Sequence, residues 1–499
     1  MYQWRRFPLI LTSLTVLVFS FWACDPEETF VTGEAVNISF SVDTLRFDTV
    51  FTELGSATRS VKIYNNGDEP VKLDKVYVEG TTGVSFQINV DGTHDEVVED
   101  VIIWENDSIY VFVEVIVDPD EPLSVSPYVV EDFLVVETGA KRNELLLEAW
   151  GQNANYFPSR FNQGVAVTLS CSNGTLVWDS PLPYVIYGRV AINQCLLEVA
   201  AGTRIYVHGG IAQTEEEGAF NDGLIYTFGN GRIHLAGTAD NPVIIQGDRL
   251  EEEFQDESGQ WLGIALGPGT TGNLIEYTEI KNGIFGIYVD STAEVTLRNS
   301  IIHTTSSSAI LGKRATVNAT NCLFYDNGSN ALQFIQGGDY NFDYCTVANY
   351  GVDASALAVS NFQCYDDFCE AFTIYRLRGN FRNCIFFGSR RDEIIISDAS
   401  ERDDPSLMVL NMRNCVVKTD ELLTRSGGLY ADFFDTYCVN CVNGERDDPL
   451  FLDRGEDDYH LDTLSIAQGV ALPITGLTTD LEGTPRDAEP DAGCYERVE

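Results

Sequence analysis

Five arginines, Arg376, Arg378, Arg382, Arg390 and Arg391, crowd one short stretch of a 499-residue chain whose formal net charge is −45. Guanidinium groups pair with carboxylates and phosphates, so cations gathered in an acidic chain point to an anionic group held nearby, on the chain or on a ligand. Eliminating across an acidic sugar needs such a cation, or calcium, with a base beside the proton removed. Lys281, Lys313 and Arg314 complete the candidates for that chemistry. Hydrolysis of a glycosidic bond would instead need two carboxylates about 5 to 9.5 Å apart, and Asp339, Asp343, Asp366 and Asp367 are the acids nearest the arginines. In so acidic a chain neighbouring acids arise freely, and arginines beside them form weak surface pairs. The same stretch is aromatic, with Tyr340, Tyr344, Tyr350, Phe362, Tyr365, Phe368, Phe372 and Tyr375. Flat aromatic faces beside arginines suit the stacking of sugar rings. No G-x-S-x-G, Walker or H-E-x-x-H element is present, and the five histidines are scattered.

These residues sit in a repeat. Asn299-Ser300-Ile301-Ile302, Asn321-Cys322-Leu323-Phe324, Tyr344-Cys345-Thr346-Val347, Asn383-Cys384-Ile385-Phe386 and Asn414-Cys415-Val416-Val417 begin with steps of 22 and 23 residues, the length of one coil of a parallel β-helix. Aligning the coils puts Thr278, Ser300, Cys322, Cys345, Cys384 and Cys415 in one column, and Ile280, Ile302, Phe324, Val347, Phe386 and Val417 in another. Residues two apart share a strand face, so both columns should point inward. The asparagines between them suit a left-handed bend and could stack their amides from coil to coil. The step lengthens to 39 residues after Cys345 and to 31 after Cys384. Surplus chain in a solenoid leaves as loops, commonly on the binding face.

Residues 37–154 read differently. Runs such as Val36-Asn-Ile-Ser-Phe-Ser-Val42, Val71-Lys-Leu-Asp-Lys-Val-Tyr-Val78 and Ile109-Tyr-Val-Phe-Val-Glu-Val115 alternate with turn residues, which predicts an antiparallel β-sandwich. Before it, Arg5 and Arg6 precede an apolar stretch ending at Cys24, followed by the acidic tether to residue 36. That order is a secretory signal, residues 1–23. Losing Arg5 and Arg6 would take the charge to −47, which disfavours nucleic acid as a partner.

Eleven cysteines follow Cys24, an odd number that leaves at least one thiol unpaired. Cys364 with Cys369, Cys438 with Cys441, and Cys171 with Cys195 one coil away are the disulfide candidates. The column from Cys322 to Cys415 needs no bond, because buried cysteine acts as a small apolar residue. Acidic turns at Asp403-Asp404, Asp447-Asp448 and Glu456-Asp457-Asp458 could offer oxygen ligands to Ca2+ but lack EF-hand spacing; no cofactor is otherwise indicated.

Cys24 and the following Asp25-Pro26-Glu27-Glu28 resemble the lipidation site of Bacteroidetes surface lipoproteins, although Phe21 and Trp22 depart from the residues usual before that cysteine. Phe47-Asp-Thr-Val-Phe51, Tyr64-Asn-Asn66, Ile88-Asn-Val-Asp-Gly92 and Ala149-Trp-Gly-Gln-Asn-Ala154 resemble the immunoglobulin-like domain of such proteins. Residues 155–479 resemble their right-handed parallel β-helix repeats, and Asp480-Leu-Glu-Gly-Thr-Pro-Arg486 with Pro490-Asp-Ala-Gly-Cys-Tyr-Glu496 resembles their shared ending, read here as a cap over residues 480–499. The resemblance implies an all-β chain, an immunoglobulin-like sandwich followed by a right-handed parallel β-helix, anchored by lipid alone to the outer membrane and facing outward. Its expected partners are a carbohydrate or a cell-surface protein, bound without catalysis through Tyr365, Arg376, Arg378, Arg390 and Arg391. The alternatives are a polysaccharide lyase or glycoside hydrolase, and a structural or adhesive surface protein. The fold itself hosts many activities and selects none of them.

Overall fold

The computed structural model describes residues 29–51, 58–80, 84–117, 128–139, 141–152, 154–157, 166–171, 173–214, 218–251 and 254–497. The expected signal segment and Cys24 lie outside them. Among the described residues, no helix is long and apolar enough to cross a membrane. The chain divides into two compact units, Met1–Asn153 and Ala154–Glu499.

Among the described residues of the first unit, two five-stranded sheets share one core. One contains, in spatial order, Ile38–Phe40, Arg59–Asn65, Ser108–Val117, Val84–Val90 and Thr93–His94; the other contains Thr44–Phe51, Lys141–Gln152, Tyr128–Thr138, Val71–Val78 and Val97–Ile103. Alternate residues point inward, so Val61, Ile63, Val111 and Val113 of one sheet pack with Phe47, Leu73, Leu134 and Leu147 of the other. The antiparallel expectation holds except at one edge, where Thr44–Phe51 runs parallel to Lys141–Gln152. The cause is that the chain crosses sheets after Ile38–Phe40 and enters the second sheet in the direction of its last strand.

The second unit stacks short parallel strands into a sheet of eleven and a sheet of seventeen among the described residues. One representative coil is Ile287–Val289, Glu294–Arg298 and Ile301–Thr305; the first two strands belong to the larger sheet and the third to the smaller. Every interior strand therefore bonds to the coil above and the coil below. Ile302 pairs with Phe324, Phe324 with Val347, Val347 with Phe386 and Phe386 with Val417, and all of them are buried in a single core. Thr278, Ser300 and the four cysteines are buried beside them, as the columns require. Cys322, Cys345, Cys384 and Cys415 carry free thiols, whereas Cys171–Cys195, Cys364–Cys369 and Cys438–Cys441 are joined.

The bends are left-handed: φ is 48° at Asn299, 50° at Asn321, 53° at Tyr344, 59° at Asn383 and 56° at Asn414. Their amides, however, do not stack on one another. Asn299 Nδ2 donates to Asp480 O at 3.0 Å, Asn321 to Thr479 O at 2.9 Å, Asn383 to Leu472 O at 2.8 Å and Asn414 to Val470 O at 3.1 Å. The closing segment thus runs along the side of five coils, where the cap reading had placed it across an end. Leu450, Phe451, Tyr459, Leu461, Leu481 and Tyr495 pack on Leu323, Ala348, Ile385, Phe387 and Val416, the outward residues of the smaller sheet. The charged residues of the ending hold this strap together. Asp480 accepts from the backbone of Glu482, Thr484 and Glu496, and buried Arg486 reaches Glu496 at 3.1 Å, Asn321 Oδ1 at 3.2 Å and the face of Tyr344 at 3.8 Å.

An amide ladder does exist, one face away. Asn341 donates to Asn318 at 2.9 Å, Asn380 to Asn341 at 2.8 Å and Asn411 to Asn380 at 3.1 Å. These side chains lie on the outside of the larger sheet, in register through Glu294–Arg298, Ile310–Thr320, Leu332–Asp343, Leu377–Arg382 and Met408–Arg413.

Candidate functional site

Both surplus lengths leave the coil at one corner, between the two strands that each coil gives to the larger sheet. In the coil of Ile310–Thr320 a single residue, Arg314, with φ 48°, makes that turn, and in the next coil Gln336 and Gly337 make it. After Cys345 the corner grows an antiparallel hairpin, Phe362–Cys364 against Phe372–Ile374, and the next coil inserts 398–407 at the same place. Asn361 ties the two insertions together, its Nδ2 donating to Asp398 Oδ1 at 2.6 Å.

The hairpin tip is closed twice. Cys364 and Cys369 are bonded, and the Asp366 carboxylate accepts the backbone N–H of Ala371 at 2.6 Å and of Phe368 and Glu370 at 3.0 Å. Those bonds, Ala371 first, hold the carboxyl below the usual range. The tip presents Phe368 at 88% exposure and Tyr365 at 59%. So large an apolar ring on a braced turn is exposed at a solvation cost that packing within the hairpin does not relieve.

At the hairpin base, the Arg314 guanidinium lies 4.7 Å from the centroid of Tyr375 and donates to Ser291 Oγ at 3.1 Å. The Tyr365 hydroxyl lies 3.1 Å from Thr373 Oγ1; hydrogen bonding from Thr373 and from Tyr375 to its oxygen lowers its pKa, while the contact with Tyr365 raises Tyr375. Arg314 Nε and, one coil on, Gln336 Oε1 are buried without a hydrogen-bond partner among the described residues. Such atoms are rare in folded proteins and mark places where a ligand or water completes the bonding. Gly337 lets the hairpin base pass this closely: a Cβ there would fall 2.6 Å from Arg376 O and 2.8 Å from Tyr375 Cβ, at a φ of +83°.

Beside Arg314 and the hairpin base, Tyr288, Asp290 and Lys313 form a second small group. Burial pushes the Tyr288 hydroxyl up to about 12. Burial would raise Asp290 as well, but the Ser291 backbone N–H and Lys313, whose Nζ is 3.7 Å away, outweigh it and hold the carboxyl down. Sequence inspection singled out Lys313 and Arg314 but missed Tyr288 and Asp290, which precede the surplus by three coils and carry no motif.

The five arginines separate. Arg378 pairs with Asp339 at 3.0 Å, Arg382 with Asp343 at 2.6 Å, Arg390 with Asp353 at 2.6 Å and Arg391 with Glu421 at 2.8 Å. These are the surface pairs that an acidic chain favours, so Arg378, Arg390 and Arg391 are committed to the protein's own acids. Arg376 is exposed at the hairpin base and pairs with no carboxylate among the described residues. The aromatic set divides as well. Tyr340 and Tyr344 are fully buried; Tyr340 stacks on Phe334 at 3.8 Å because its position on an inward column leaves it no other direction. Tyr350 packs edge-on to Phe451 of the strap, and Phe362 meets Phe372. Tyr365, Phe368, Phe372 and Tyr375 remain at the corner.

Of the four acids considered for hydrolysis, Asp339 and Asp343 are paired with arginines, Asp366 is held by the hairpin turn, and Asp367 is exposed at the hairpin tip. The turns considered for calcium hold backbone: Asp404 accepts from Ser406, Asp448 from Glu445 and Asp458 from His460. Among the described residues, no three of His, Cys, Asp and Glu converge as metal ligands.

A family model described as the right handed beta helix region matches residues 257–411. No curated protein matches the chain. Among solved structures it is similar to the catalytic unit of a thermostable GH87 alpha-1,3-glucanase from Streptomyces thermodiastaticus strain HF3-3, with 10% identity over 78% of this chain and 81% of that one and a TM-score of 0.27. The catalytic domain of a GH87 alpha-1,3-glucanase in complex with nigerose gives 12%, 73%, 82% and 0.18. A family 123 glycoside hydrolase from Clostridium perfringens gives 11% identity and a TM-score of 0.17, this chain spanning about a quarter of its length: 28% of this chain and 26% of that one are covered. The family match and the stacked parallel coils together make the second unit a right-handed parallel β-helix.

Proposed function

We propose that the protein binds carbohydrate at the hairpin corner of its β-helix, without catalysis, as a lipoprotein anchored through Cys24 on the outer face of a Bacteroidetes outer membrane, with the first unit as an immunoglobulin-like spacer. The observation that carries the reading is the platform of Arg314, Tyr375, Tyr365 and Arg376. It gathers two tyrosines, one of them under a guanidinium with an unpartnered nitrogen, and a cation with no carboxylate partner among the described residues, at the place where the coil has surplus length. Rings and guanidinium groups of this kind supply both the apolar and the hydrogen-bonding faces that a sugar presents. Titrating the mature chain against neutral and uronic-acid oligosaccharides tests it. Binding should fall by roughly tenfold or more, about 1.4 kcal/mol, in the Tyr365→Ala/Arg376→Ala double variant and stay unchanged in Arg391→Ala. Equal binding by the double variant sinks the reading.

A polysaccharide lyase is the second reading, favoured by Lys313, Asp290 and Tyr288 beside Arg314. A new unsaturated bond absorbing in the ultraviolet on incubation with uronic-acid glycans would establish it over the first.

A further inference from the structure

On a different face of the β-helix, where residues 446–454 pass Tyr350, a hollow of about 280 Å3 opens. That is at the small end of ligand sites, which run from about 300 to 1,000 Å3, and it suits a single ring better than a chain. Tyr350, Arg446, Arg454, Asp447, Asp448 and Phe451 line it. The Arg454 guanidinium lies 4.6 Å from the centroid of Tyr350 and is thereby held at the wall. Arg446 forms no ion pair among the described residues, although acids outnumber bases by 76 to 31 in the chain and the other arginines of this unit's surface commonly find one. Asp448 turns one carboxylate oxygen to the Glu445 N–H at 2.7 Å.

Two guanidinium groups and two carboxylates around one small hollow ask for a ligand with both characters. A carboxylate would satisfy the arginines in the forked geometry that guanidinium prefers. Hydroxyls would donate to the acids, which are acceptors when ionised. A compact multivalent anion meets the arginines but is repelled by Asp447 and Asp448, and a neutral sugar leaves Arg446 without a charged partner.

We propose that this hollow is a second binding site, separate from the hairpin corner, for a single-ring sugar acid whose carboxylate meets Arg446 and Arg454 and whose hydroxyls meet Asp447 and Asp448. Calorimetric titration of the full chain with glucuronate, glucose and inorganic phosphate tests it. Glucuronate should bind more tightly than either comparison ligand. Arg446→Ala should weaken it by roughly tenfold or more, Asp447→Asn should weaken it less, and Arg413→Ala, on another face, should leave it unchanged. Arg446 is exposed, so its variant should melt with the parent. Absence of glucuronate binding, phosphate or glucose binding as tightly, or binding indifferent to Arg446→Ala would each overturn the proposal.

Discussion

The two sheets of the β-helix are built from the same coils yet present opposite exteriors. Outside the smaller sheet, Leu323, Ala348, Ile385, Phe387 and Val416 are buried under the strap, and the left-handed asparagines beside them direct their amides into its carbonyls. Outside the larger sheet, the corresponding positions are Asn318, Asn341, Asn380 and Asn411, bonded to one another, with Arg378 and Arg382 paired to acids one coil back. Asparagine thus has two roles within one solenoid. Where the chain covers a face, the coil's polar corners serve attachment; where it leaves a face open, polar side chains satisfy each other and surplus loops project beside them. The hairpin belongs to the open side, and for that reason the carbohydrate site is proposed there.

Removing a ring from each exterior gives the largest contrast. Phe387→Ala should cost about 3 to 5 kcal/mol in a denaturant titration, because it empties a packed site between sheet and strap. Phe368→Ala, at the exposed hairpin tip, should change stability by about 0.5 kcal/mol or less. Similar losses at the two positions would mean that the strap is not part of the folded core.

The asparagines give a smaller contrast of the same kind. Asn321→Ala loses the bonds to Thr479 and Arg486 and puts alanine at a φ of 50°, for an expected cost of about 3 kcal/mol. Asn380→Ala, extended and partly solvated, should cost about 1 kcal/mol or less. An equal effect at both would show that the open ladder matters to the fold as much as the strap does.

A pH slope near the edge of the covered face gives a further contrast. Glu393 accepts the N–H groups of Ala356 at 2.9 Å and Arg390 at 2.8 Å, lies 3.9 Å from Lys418 Nζ, and is pushed by burial from 4.5 up to about 7. Its folded-state pKa is raised, so its contribution to stability is fully present below pH 4.5 and is lost as pH rises through about 7. Melting temperature should therefore fall across that window, and Glu393→Gln should flatten the slope. A slope that survives the substitution would assign it to another group.

The coil was legible because its inward columns repeat every 22 or 23 residues, and the two lengthened steps located the corner insertions. The strap was not, although its signal was present. Leu323-Phe324, Ile385-Phe386-Phe387 and Val416-Val417 are apolar at consecutive positions, which marks strands buried on both faces, whereas Thr316-Val317-Asn318-Ala319-Thr320 alternates. What covers the apolar exterior comes from residues more than thirty to one hundred and fifty positions downstream, a separation that local periodicity does not reach. The site was half legible for the same reason. Tyr365, Arg376 and the surplus length are local, but Arg314 and Tyr375 meet across two coils, and the pairing of Arg378, Arg390 and Arg391 depends on which acid each coil sets beside them.

Hydrogen exchange of the full chain with and without a uronic-acid oligosaccharide tests the central claim most directly. The account predicts added protection at 361–376 and at 311–316, with the strap at 455–497 unchanged by that ligand. Protection on the strap side alone, or none at the corner in the presence of a bound oligosaccharide, would contradict it.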